Sequence, residues 1–202
     1  MRTILLAVTF VCFMTVTVGQ AVAAPMLTLD APDRVLAGSP FIVTVGISGM
    51  EAGVDLGAFE LDLSLVSLNS SYSASHIYTY FGTQLGNPLT EAISYADPPS
   101  SGNFITINAY EVSLLWDLSF QADSFDLVRF WFDTPYFVDP KNNRDYLLAV
   151  HDVVLSDAFG DVIEVGNPDI RYVTVVPEPA TLALFALGLI SIGFAKRSSG
   201  SC

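Results

Sequence analysis

Two histidines, two tryptophans, eight tyrosines and twenty-one carboxylates are the side chains of this 202-residue chain with the most capacity for chemistry. A nucleophilic device of the Ser-His-Asp kind needs one of the histidines, His76 or His151, set beside a hydroxyl and an acid. No G-x-S-x-G elbow is present, and His151 stands in an alternating run, where a surface or core imidazole is the default. No catalytic residue is therefore expected, and the chain reads as a non-enzyme. Carboxylates are so abundant that a glycosidase-type pair carries no information without a measured separation. Asp152, Asp157 and Asp161 gather around the turn Asp157-Ala158-Phe159-Gly160-Asp161 and are candidate ligands for a peripheral calcium ion. Their spacing is not that of an EF-hand loop, and calcium takes about six or more oxygens, so a solvated acidic turn is the alternative. No other cofactor is expected. Trp116, in Leu114-Leu115-Trp116-Asp117, joins Tyr78 and Tyr80 as candidate ligand contacts, an aromatic platform for a sugar or a protein partner. The alternative for the tyrosines is that they cover one end of the fold. Trp131, inside Leu127-Val128-Arg129-Phe130-Trp131-Phe132, reads as core.

Charge and cysteine usage narrow the setting. Residues 25–176 carry five basic and twenty acidic side chains, a formal charge of −15. Such a surface repels phosphate backbones, which argues against nucleic acid as a partner. The two cysteines, Cys12 and Cys202, lie at the two ends. The stretch between them has no thiol for a disulfide, a zinc-thiolate site or a nucleophile, and must hold together by packing. Asn69-Ser70-Ser71 fits a glycosylation acceptor, meaningful only in a host that performs the modification.

The elements that would position these residues are strands. Phe59-Glu60-Leu61-Asp62-Leu63-Ser64-Leu65 alternates with period two, and Phe41-Ile42-Val43-Thr44-Val45-Gly46-Ile47 is β-branched between turn residues. Further strands are expected at 26–29, 92–95, 104–109, 127–132, 147–155, 162–165 and 170–176, separated by Pro-, Asp- and Gly-rich turns. About nine short strands without an amphipathic helix predict an all-β sandwich or jelly roll of about 150 residues. Residues 68–88, rich in Ser, Tyr and Gly, read as a long irregular loop.

Both ends read as addresses rather than as parts of the sandwich. Arg2, the apolar run Thr3 to Val18, and the small residues up to Ala24 have the layout of a signal peptide over 1–24, cleaved after Ala23 or Ala24; an N-terminal membrane anchor is the alternative. At the other end Ala180 to Ala195 is sixteen residues without a charge, about 24 Å as a helix and a marginal transmembrane span. Lys196 and Arg197 form the basic stop that would keep this end in the cytoplasm and the body outside.

Pro177-Glu178-Pro179, then that apolar segment, then Lys196-Arg197, resembles the PEP-CTERM sorting signal over 177–202. The resemblance implies a Gram-negative exopolysaccharide producer. It also implies a membrane-embedded exosortase as partner, with Pro177, Glu178 and Pro179 recognised in trans. Gly38 to Val45, Leu56 to Leu63, Phe130-Trp131-Phe132 and Val153 to Gly160 resemble a cohesin-type module. That resemblance implies a nine-stranded jelly-roll sandwich over 25–176 that binds a partner through a sheet face. The combined expectation is an exported surface or matrix protein, transiently in the inner membrane, that binds exopolysaccharide or a protein in a biofilm. The alternatives are a secreted polysaccharide-active hydrolase and a surface protein permanently held by its C-terminal helix.

Overall fold

The computed structural model describes residues 24–51, 53–68, 73–135, 145–166 and 170–177. Among these, eleven strands form two facing sheets. They are β1 Met26–Asp30, β2 Arg34–Leu36, β3 Pro40–Ser48, β4 Leu56–Ser67, β5 Ala74–Phe81, β6 Ala92–Ala96, β7 Ser100–Gly102, β8 Phe104–Ser113, β9 Ser124–Asp133, β10 Tyr146–Asp157 and β11 Ile170–Val176. One sheet has the order β1-β3-β9-β5-β7, the other β2-β11-β10-β4-β8-β6. All named pairings are antiparallel except that of β11 with β2.

Alternation in the sequence becomes alternation in burial. Phe59, Leu61, Leu63 and Leu65 of β4 point inward to meet Val43, Val45 and Ile47 of β3 and Phe130 and Phe132 of β9 in one core. Each such side chain, fully removed from water, contributes about 1.5–3 kcal/mol. At one end Phe41 stacks on Phe132, ring centroids 5.4 Å apart, with Tyr146 beside it.

The all-β sandwich is as expected, but three strands were not legible. The supposed loop at 68–88 contains β5, an internal strand between β9 and β7. The three-residue strands β2 and β7 are also additional, β7 lying in a stretch read as a turn. Conversely, 162–165 is no strand: Val162 makes a single bridge to Ser156. The predicted signal peptide over 1–24 lies almost wholly outside the described residues, as does the predicted span 180–195. Among the described residues no helix is long and apolar enough to cross a membrane.

Among the register slips of the described strands, those in β5 and β10 set which of the candidate side chains reach solvent. In β5 the register slips between His76 and Tyr78, so that Ile77 is the extra residue against β9. Ala74 and His76 face the core before the slip; Tyr78 and Tyr80 face outward after it. In β10 the slip falls between His151 and Val154. There Asp152 takes a φ of 51°, the one positive φ outside glycine among the described residues.

Candidate functional site

The five-stranded sheet presents an aromatic outer face. Cross-strand register sets Ile42, Trp131 and Tyr78 in one row and Thr44, Arg129 and Tyr80 in the next. Tyr78 stacks on Trp131 at 5.1 Å between centroids and 22° between planes. Trp131 is thus not core, as its apolar neighbours suggested: Phe130 and Phe132 take the inward positions, and strand parity turns Trp131 out, half-buried beneath Tyr78. Arg129 pairs with Asp126 at 2.5 Å in the same face. Tyr80 borders two depressions. One, of about 270 Å³, is floored by Gly82, Phe125, Asp126 and Arg129; the other, of about 750 Å³, is lined by Pro88, Leu89, Leu115 and Phe120 among others. Trp116 is fully exposed on the β8–β9 connection. It follows Leu115 in sequence but does not line that groove itself, so the structure brings Tyr78 and Tyr80 together with Trp131 rather than with Trp116.

The six-stranded sheet presents a polar outer face. Asp62 lies opposite His151 on one side and Asn108 on the other; Ser64 lies opposite Thr106. Asn108 donates to Asp62 at 2.9 Å and to Glu60 at 3.3 Å. His151 bonds the Asp152 carboxylate through Nδ1 and the Ser64 hydroxyl through Nε2, both at 2.7 Å. Ser64 Oγ is in turn 3.1 Å from Thr106 Oγ1. Ligand atoms of Asp62, His151 and Asp152 all lie within 4.8 Å of one another. Farther along the same face Tyr95 stacks on Tyr110 at 5.4 Å, and the Asp97 carboxylate that Tyr95 bonds raises the phenol above its ordinary range.

The Ser64–His151–Asp152 series has the hydrogen-bond order of a hydrolase triad. However, Ser64 is buried and sits in β4, flanked on both sides by β10 and β8. Its backbone is committed to those ladders, so that among the described residues no pair of free N–H groups beside it is placed to stabilise an oxyanion. The other histidine, His76, is a core residue. It is 1% exposed, packs near Phe130 and Phe132 and bonds the Thr79 hydroxyl at 3.0 Å. Burial lowers its pKa, against hydrogen bonds from the ring to the backbone carbonyls of Tyr78 and Pro98.

The acids read together as a calcium set are parted by the fold. Asp157 Oδ1 accepts from the N–H groups of Phe159 and Asp161 and so closes its own turn, whereas Asp152 joins His151 across the bulge. Two interior carboxyls had no sequence signal beyond their inward parity. Glu111, unexposed, is pushed up to about 7 by burial, opposed by a hydrogen bond from Ser94. Asp145, also raised by burial, accepts the N–H of Val175 at 2.7 Å and ties β11 to the start of β10.

Pro177 is exposed and follows β11 without a linker: Val175 is buried and Val176 pairs with Leu36. Glu178, Pro179, Lys196 and Arg197 lie outside the described residues.

Against known proteins, residues 175–198 match the family model of the PEP-CTERM protein-sorting motif. The chain is thereby marked as an exported protein, sorted through the membrane to the cell surface and processed by an exosortase. No curated protein matches it. Among solved structures it is similar to the cohesin module from a family 33 glycoside hydrolase of Clostridium perfringens ATCC13124. The TM-score is 0.52 at 13% identity, over 77% of this chain and 98% of that one. This likeness supports the cohesin-type two-sheet fold.

Proposed function

We propose that the chain is a non-catalytic binding module, delivered to the cell surface by its sorting tail, that holds neutral exopolysaccharide on the outer face of the five-stranded sheet. The carrying observation is the Tyr78–Trp131 stack, kept at the surface by the β5 bulge. A pyranose ring has an apolar C–H face that packs on the negative face of an aromatic ring. The neighbouring Arg129–Asp126 pair offers both donors and acceptors to hydroxyls. The acidic body disfavours anionic polymers, and the surface tyrosine and tryptophan supply contact area at low side-chain entropy.

The test is affinity electrophoresis of the protein in gels containing neutral and acidic exopolysaccharides of the producing cell. Retardation by the neutral polymer, lost in Trp131→Ala and Tyr78→Ala and kept in Trp116→Ala, is expected. Retardation unchanged by the first two variants would remove the proposal.

A further inference from the structure

The geometry points to a metal site on the opposite face of the sandwich, in which Asp62, His151 and Asp152 bind one divalent transition ion of the zinc class. An imidazole and two carboxylates are borderline donors that suit Zn²⁺, Co²⁺ or Ni²⁺ better than calcium, which takes oxygens alone. The three come from two adjacent strands. Asp62 and His151 are direct cross-strand partners and so share a face, whereas Asp152, next in sequence, would in a regular strand point the other way. The β10 bulge and the positive φ of Asp152 bring its carboxylate back to within 2.7 Å of the imidazole.

The imidazole is positioned as well as present. Its Nε2 bonds the buried hydroxyl of Ser64, which is itself within hydrogen-bond distance of Thr106. A metal at Nδ1 takes the place of the hydrogen that the ring shares with Asp152, which leaves to solvent on binding, while Nε2–H is donated to Ser64, the tautomer a metal needs. Asn108 in the same way orients Asp62. Bond lengths of about 2.0–2.1 Å to a tetrahedral zinc place the donors about 3.3 Å apart. From a largest separation within 4.8 Å, modest side-chain rotation at the exposed Asp152 closes that gap. A cation between Asp62 and Asp152 offsets the mutual repulsion of these acids and the adjacent Glu60 in the same face. Three protein ligands on an open sheet face leave a fourth position for water or for an oxygen from a partner.

The full chain, purified in detergent, is stripped with a chelator and dialysed against Zn²⁺ alone. One retained equivalent is expected. His151→Ala should weaken retention by more than about tenfold, and Ser64→Ala, which leaves all three ligands in place, by about tenfold. Co²⁺ put in place of Zn²⁺ should give visible d–d absorption that His151→Ala abolishes. Because His151 is partly exposed, its variant should melt like the wild type, and a matched melt makes the comparison valid. Retention of no Zn²⁺, or equal retention by wild type and His151→Ala (an adventitious ion on an acidic surface), would overturn the assignment.

Discussion

Replacing Glu111 with Gln should stabilise the protein at neutral pH and leave it unchanged in acid. Glu111 points between the sheets from β8, fully buried, with Ser94 Oγ donating to Oε1 at 2.8 Å and no hydrogen-bond partner at Oε2 among the described residues. Burial raises its pKa from 4.5 to about 7, so the folded protein keeps a proton that the unfolded chain releases in mild acid. Below the unfolded value both states are protonated and the group costs nothing. As the pH rises from 4.5 to about 7 the fold is progressively penalised, and above that the penalty is constant. At about 1.4 kcal/mol per unit, the full loss is roughly 3 kcal/mol. Glutamine has nearly the same shape, can still accept from Ser94 and carries no charge to desolvate. His76 has the opposite dependence. Its lowered pKa gives stability that is complete above the ordinary value of 6.5 and is lost as the pH falls towards the folded value. That contribution is common to wild type and variant and cancels in their difference. Urea melts across this pH range measure the difference directly. Glu111→Gln should match wild type in acid and exceed it by roughly 3 kcal/mol above neutrality. A variant no more stable than wild type above pH 7, or one whose advantage is independent of pH, would show that the buried Glu111 carboxyl does not penalise the fold.

Strand parity in β9 predicts a contrast between neighbours. Phe132→Ala should cost about 3–5 kcal/mol because it empties core, whereas Trp131→Ala should cost markedly less while removing polysaccharide retardation; denaturant melts separate the two. Gly57→Ala should destabilise by about 1–3 kcal/mol, since a Cβ there would overlap the Asp157 carbonyl and Ala158 Cα where β4 meets β10; thermal melts check it. Glu178→Ala should impair processing of the tail without altering the melt of the sandwich, and the masses of wild-type and variant tails in membrane and released fractions report it.

The strands that carry most of the core were legible because their inward residues keep one parity over six or more positions, as in Phe59 to Leu65 of β4. β5 was not, because its bulge at Ile77 changes that parity midway. Ala74 and His76 face in on one phase and Phe81 on the other, and a Ser- and Tyr-rich composition hides both halves. β2 and β7 are too short to show any period. Trp131 was misplaced by reading a run of apolar residues as a block. Counting by twos from Phe130 and Phe132 puts it on the outer face. The tail was readable for the opposite reason: Pro177-Glu178-Pro179, an apolar run and a basic pair are a linear signal that needs no fold to be assembled. The pairing of Asp152 with Asp62 rather than with Asp157 and Asp161 could not be read in this way. It depends on a bulge and on a strand some ninety residues earlier in the chain.

Fractionation of the producing cell followed by intact-mass measurement of this protein tests its export and tail processing. A surface or released species that lacks the leader and is trimmed at or near Pro177, with the sandwich through β11 intact, is expected. Full-length chain found in the cytosol, with both apolar ends still attached, would contradict export and processing alike.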